Sequence, residues 1–271
     1  MSKLFILLLS IVCFSIQTSA QFTNFPIKFS AVTKEKLKGA VHTVLTIEQR
    51  LEEVFSTVVE VYDLNGRLIE RTSSNAGRDP HQGVMVRIAS KTFYIYDSSG
   101  KLIKTKILDE AGRYWRYENY KYDDQNRLIE MRFYDIKGKE QGYEKFTYFP
   151  EKREVMAEWD YHYNKRNSKP TTVLLSYNEK EQWAHRKVLN AVSNDLVTFE
   201  YDADGNFIKE TDCCKFKYSH TYGYKFDKQG NWIEQQNTLI ELDENGKEKI
   251  NPEWMRKYRI ITYYSENEVN P

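Results

Sequence analysis

Along most of this chain apolar and polar residues alternate with a period of two, which is the mark of a half-buried β-strand. From Leu37 onward Val41, Thr43, Leu45 and Ile47 share one side of a candidate strand, and Val58-Val59-Glu60-Val61-Tyr62 reads as another. Between them, Glu48 through Phe55 would also tolerate a turn or two of helix. The alternation is interrupted by one recurring stretch, Tyr62-Asp63-Leu64-Asn65-Gly66-Arg67-Leu68-Ile69-Glu70. It returns around Tyr96-Asp97, Tyr122-Asp123, Tyr201-Asp202 and Phe226-Asp227. Each copy reads as strand, turn, strand. Asp63, Asp97, Asp123, Asp202 and Asp227 open the turn by accepting backbone hydrogen bonds, while Gly66, Gly100, Gly205, Gly230 and Asn126 take the left-handed conformation that closes it.

That turn dictates a register. It places Tyr62 opposite Leu68, Tyr96 opposite Leu102, Tyr122 opposite Leu128, Tyr201 opposite Phe207 and Phe226 opposite Trp232. The isoleucine that follows in every copy then points to the other face. The aspartates stand at 63, 97, 123, 202 and 227, so the long gap after 123 leaves room for two degraded copies, near Tyr148 and Tyr177. Weaker turns fall at Tyr134-Asp135-Ile136-Lys137-Gly138 and Leu242-Asp243-Glu244-Asn245-Gly246, and residues 72–83 are the clearest loop by composition.

The Tyr-Asp-x-x-Gly-Arg-Leu-Ile pattern resembles the YD repeat of the RHS family over about residues 58–250. The resemblance implies long antiparallel hairpin sheets, which in large members curl into a shell around a cargo. Here the repeats are few and no cargo domain follows them. The expected fold is therefore all-β, a ladder of antiparallel β-hairpins forming an open, twisted or curved sheet rather than a closed shell. It would occupy residues 37–271 as one domain after an extended leader at 21–36.

The N-terminus carries Lys3, an apolar run from Leu4 to Phe14 and Thr18-Ser19-Ala20, the pattern of a secretory signal cleaved after residue 20. The expectation is an exported protein, periplasmic, outer-surface or secreted, with no transmembrane segment in the mature chain. With 40 basic against 39 acidic residues, the chain has no electrostatic footprint for nucleic acid. Beyond the signal, Cys213 and Cys214 are adjacent. Their Cα atoms stand about 3.8 Å apart, short of the ~4.4–6.8 Å of ordinary disulfides, so no disulfide framework is expected.

Candidate chemistry is sparse. Trp159, Tyr161 and Tyr163 alternate and would line one face of a strand, while Trp115 is an aromatic residue outside the repeat positions; these four form a candidate binding surface. The competing reading packs them on neighbouring hairpins, as strand aromatics usually do. Asp160, His162 and Asn164 would share the opposite face, but no third strong ligand accompanies them, so neither metal nor cofactor is expected. No nucleophile elbow, phosphate loop or paired-histidine helix occurs. The sequence thus points to a non-catalytic secreted or envelope-associated protein, with a binding or surface-structural role toward a carbohydrate, peptide or protein of the cell envelope. The alternative is an envelope glycan hydrolase with carboxylates on one sheet face.

Overall fold

In a computed structural model the described residues are 37–50, 53–78, 85–161, 170–189, 196–212, 218–242 and 247–265. The signal and leader segments, Tyr163 and the Cys213–Cys214 pair lie outside them. Sixteen strands follow one another: β1 (Val41–Arg50), β2 (Glu53–Tyr62), β3 (Leu68–Arg78), β4 (Met85–Tyr96), β5 (Leu102–Leu108), β6 (Tyr114–Tyr122), β7 (Leu128–Asp135) and β8 (Glu140–Phe149). After one 3-10 turn at Pro150–Lys152 come β9 (Glu154–Tyr161), β10 (Thr171–Tyr177), β11 (Trp183–Val188), β12 (Leu196–Tyr201), β13 (Phe207–Asp212), β14 (Tyr218–Phe226), β15 (Trp232–Leu242) and β16 (Glu248–Tyr263).

Every strand pairs with its sequence neighbours, and β16 pairs with β1, so the sheet is a closed barrel. This corrects the open ladder of hairpins expected above. The two degraded copies are full hairpins, turning at Phe149–Arg153 and Asn178–Gln182. The last strand, which carries no repeat signature, meets the first over a long register from Val41 opposite Tyr263 to Gln49 opposite Arg256. Closure satisfies both edge strands, which would otherwise present unpaired backbone groups.

The five predicted cross-strand pairs all occur. At the first tip Asp63 N donates to Arg67 O and Gly66 N to Asp63 O, both at 2.9 Å. Asp63 Oδ1 accepts from the amides of Asn65 and Arg67, each at 2.9 Å, and the Arg67 Nε closes on Asp63 Oδ2 at 2.7 Å. Gly66 and Asn126 adopt φ of 72° and 62°, the left-handed region assigned to them. The same turn recurs at Asp109–Arg113 and Asp135–Lys139, on the opposite rim.

Two local expectations are revised. The stretch 72–83 placed as a loop is strand as far as Arg78, its remainder lying outside the described residues: Ser73 and Ser90 face each other with hydroxyls 2.9 Å apart, and Thr72 opposes Lys91. Threonine and serine alternate there as strand residues and not as turn formers. A register shift beside His42 also takes Val41 off the side of Thr43 and Leu45 and into the core at 2% exposure.

The two faces of the wall differ sharply. In β2, Ser56, Val58, Glu60 and Tyr62 are buried, whereas Thr57, Val59 and Val61 alternate with them and are half-exposed. Carried through the registers, the buried set continues as Leu68, Leu102, Leu128, Phe133, Phe146, Val155, Val173, Leu175 and Val197. Side chains converge on the concave face of a closed sheet, so this is the inward face. A sixteen-stranded barrel has an interior too wide for side chains to fill completely.

Candidate functional site

Seven of the hairpins turn at one rim; six bring a tyrosine to the inward face beside the turn, Tyr62, Tyr96, Tyr122, Tyr148, Tyr177 and Tyr201, and in the seventh Phe226 takes that place with Tyr224 two residues before it. Several of these staple successive hairpins. Tyr96 donates its hydroxyl to Leu68 O at 2.8 Å, Tyr122 to Leu102 O at 2.9 Å, Tyr148 to Leu128 O at 2.8 Å and Tyr224 to Phe207 O at 2.6 Å. The basic residue that clasps or follows the preceding turn lies over the next ring, Arg67 on Tyr96 at 5.3 Å and Arg127 on Tyr148 at 4.7 Å. Burial pushes these hydroxyls up, that of Tyr224 to about 12, so they remain donors at any physiological pH. The turn residues Asp63, Gly66, Asp97, Gly100, Asp123, Asn126, Asp202, Gly205, Asp227 and Gly230 all sit at this rim, where their backbones close the turns.

Beyond the rim the interior has two unlike walls. Along β7–β10 it is closed by Leu128, Met131, Phe133, Phe146, Val155, Ala157, Val173 and Leu175, with Trp159 packed against them. Charges inside the adjoining wall are partnered: Glu118 accepts from the Tyr120 hydroxyl at 2.8 Å and from Thr105 Oγ1 at 3.1 Å, and Glu60 accepts from the Tyr62 hydroxyl at 3.1 Å. Along β11–β15 the inward face is polar-aromatic, with half-exposed rings and Glu210 around the buried Val197, Asp212, Asn237 and Leu239. Glu210 opposes His220 and Asp212 opposes Tyr218. His220 Nδ1 lies 2.9 Å from Asn237 Oδ1, so a proton on Nδ1 is donated to the amide oxygen. Burial, and then the neighbouring Asp212, hold the Glu210 carboxyl above the usual carboxylate range against the opposing pull of Arg186 and His220.

Of the four aromatic candidates, Trp159 belongs to the core, Tyr161 ends β9, and Tyr163 lies outside the described residues. Trp115 is different. It occupies a bulge opposite Leu108, is 52% exposed, and carries the Arg116 guanidinium 5.0 Å over its ring. The nearby outer rings of Tyr114, Tyr117 and Tyr134 stack on one another, 6.3 and 4.9 Å apart, and Lys104 sits 4.2 Å above Tyr117. Those ring faces are already occupied.

The outer face of β5–β15 is ionic. Arg132 bridges Glu130 at 2.7 Å and Glu140 at 2.6 Å, Lys225 meets Glu234 at 2.7 Å, and Lys209 meets Glu200 at 3.1 Å. Around the seam the outer face carries few charges instead, with Leu45, Ile47, Val59, Val61 and Ile260 among threonines and Arg256 opposite Gln49 toward one end. No helix among the described residues is long and apolar enough to cross a membrane, which says nothing of a barrel. Among the described residues no group of three or more His, Cys, Asp or Glu is placed to hold a metal ion.

No family model matches the chain, and no curated protein matches it. Among solved structures, a porin-like protein from Bacteroides uniformis ATCC 8492 is similar at 12% identity and a TM-score of 0.43, over 83% of this chain and 99% of that one. TcdB2-TccC3 without its hypervariable C-terminal region is a weaker neighbour, at 12% identity and a TM-score of 0.26, over 75% of this chain and 14% of that one. TcdB2-TccC3 itself gives 12% identity and a TM-score of 0.27, over 74% of this chain and 12% of that one. Likeness at this level assigns neither a family nor a function.

Proposed function

We propose that this is a non-catalytic, exported β-barrel of the cell envelope that stands in water and binds a carbohydrate, peptide or protein of the envelope. The observation that carries the reading is the distribution of polarity across the wall. A membrane barrel turns an apolar band about 25 Å tall outward and keeps a polar interior. Here the outer face is ionic along β5–β15, where Arg132, Glu130, Glu140, Lys209 and Glu200 face outward, and along β7–β10 the arrangement is reversed outright, with Leu128, Phe133, Val155 and Val173 facing inward. Strands β10–β13, at six or seven residues, also fall short of the ~9–11 residues a spanning strand needs. The signal-like N-terminus supports export, and the likeness of the hairpin tips to the YD repeat supports a scaffold role.

Fractionation tests the reading. Alkaline carbonate or urea should release the protein from envelope preparations without detergent, and the purified protein should refold in plain buffer. Retention in the membrane until detergent is added would overturn the aqueous placement. Turnover of an envelope glycan or peptide by the pure protein would overturn the non-catalytic part.

A further inference from the structure

We infer that the inward wall formed by β11–β15 is a binding site for a neutral saccharide chain. The inference rests on the binding role proposed above and gives it a location and a ligand chemistry.

Small-molecule sites are concave, rich in aromatic surface, and set with a few convergent polar groups. This wall has those properties and the facing one does not. Tyr218, His220 and Tyr222 project inward from alternate positions of β14 as a continuous strip of rings, with centroids 5.1 and 6.3 Å apart. Phe207 extends the strip from β13, 4.8 Å from Tyr222. All four are half-exposed, whereas the residues closing β7–β10 are nearly inaccessible. Interleaved with the rings is the half-exposed Glu210 carboxyl, and buried behind them, at 6% and 8% exposure, are the Asp212 carboxyl and the Asn237 amide that orients His220.

That combination suits a sugar, whose C–H faces lie on rings while its hydroxyls both donate and accept. Charge selects the class further. On β11–β15 the inward carboxyls of Glu210, Asp212 and Glu241 stand against Arg186, and Lys249 of the adjoining β16 is the cross-strand partner of Glu241. The small acidic surplus disfavours an anionic polymer, while Arg186 within the wall and Lys249 on its flank disfavour a cationic one. It leaves a neutral, polyhydroxylated ligand as the complement.

Isothermal titration of the exported protein with chitohexaose, maltohexaose and mannohexaose tests this, alongside the NMR signals of the His220 imidazole. At least one hexasaccharide should bind and shift the His220 resonances. Tyr222→Leu and the isosteric Asp212→Asn should each weaken binding about tenfold or more while circular dichroism stays native, and Trp115→Ala should leave it unchanged. Binding by none of the three sugars, or binding that leaves His220 unshifted and survives both inward substitutions, would overturn the site. Loss of binding in Trp115→Ala alone would overturn it too, while the proposed binding role stood. Release of reducing ends that disappears in Asp212→Asn would support the site but overturn the non-catalytic reading.

Discussion

Tyr148 and Tyr177 hold equivalent places in consecutive hairpins, but their hydroxyls differ. Tyr148 donates to Leu128 O at 2.8 Å, whereas the buried hydroxyl of Tyr177 has no hydrogen-bond partner. The hairpin before Tyr177 turns through Pro150–Lys152 instead of through an aspartate turn, so its second strand starts from a different tip. An intramolecular hydrogen bond is worth about 1 kcal/mol net, and an unmet buried group costs about 1–3 kcal/mol. Tyr148→Phe is therefore expected to destabilise by about 1 kcal/mol, and Tyr177→Phe to be neutral or stabilising, as read from urea midpoints. Equal losses in the two variants would count against the staple.

Also at the residue scale, Glu210 sets a pH dependence. Its carboxyl titrates above the usual range because burial disfavours the charged form. The folded state thus holds this proton more tightly than the unfolded chain does. The associated stability is full below the unfolded pKa of about 4.3 and is lost as pH rises through the raised folded value. Glu210→Gln cannot titrate. It should melt higher than the parent at pH 7, with the difference shrinking toward pH 4; an unchanged gap between those pH values would contradict the assignment.

At the scale of elements, the last hairpin shows how one substitution in a repeat acquires a new role. Where the first and third copies place Arg67 and Arg127 after the turn, the tip between β14 and β15 has Asn231. Its Oδ1 accepts from Lys38 N at 2.6 Å, and its Nδ2 donates to Lys38 O and to the Tyr263 hydroxyl, each at 2.8 Å. Tyr263 in turn donates to Asp227 Oδ2 at 2.6 Å. These bonds strap the lead-in to β1 across the end of β16, at the point where the barrel closes. Asn231→Ala strands several buried polar groups and should cost about 2–3 kcal/mol, with faster amide exchange in β1 and β16 than elsewhere. Asn206 occupies the same place at the β12–β13 tip but bonds its own turn aspartate at 2.8 Å, so Asn206→Ala should cost less.

The same scale explains which residues escaped sequence reasoning. The turn set the pairs Tyr201–Phe207 and Phe226–Trp232 correctly, but a bulge follows each of these pairs. One extra residue reverses which side chains face inward. Simple alternation from Phe207 puts Lys209 inside, whereas the bulge at Ile208 puts Glu210 and Asp212 there. The isoleucine expected on the other face is that bulge residue: Ile69 and Ile103 are 38% and 41% exposed. Reading a second bulge into every copy would have brought Glu210, Asp212 and His220 together as an inward set. The turn at Asp109–Arg113 was missed for a simpler reason, since Leu108 stands where the repeat has tyrosine.

At the scale of the whole molecule, closure depends on β1 and β16. Deleting residues 248–271 leaves β15 and β1 as long unpaired edges, which template association between chains. The truncated protein is expected to aggregate on refolding where the full chain stays soluble, as followed by light scattering. A soluble, cooperatively folding truncation would show that the hairpins form a stable open sheet after all.

The amino-acid sequence by itself determined the antiparallel hairpins, their tips, the cross-strand pairs beside each tip and the two degraded copies. All of these are local: a turn of five residues constrains its own backbone and therefore the register on either side. It did not determine closure, the assignment of inner and outer faces, or the company kept by Glu210, Asp212 and His220. Whether a ladder stays open depends on the summed twist of sixteen strands and on a first and last strand that meet across 215 residues, Leu45 opposite Ile260 among them. Alternation marks two faces but not which one is concave, and each bulge exchanges them. Only the closed sheet sets Trp159 against the core, leaves Trp115 outside, and gathers a carboxylate pair, an imidazole and a strip of rings on one inward wall.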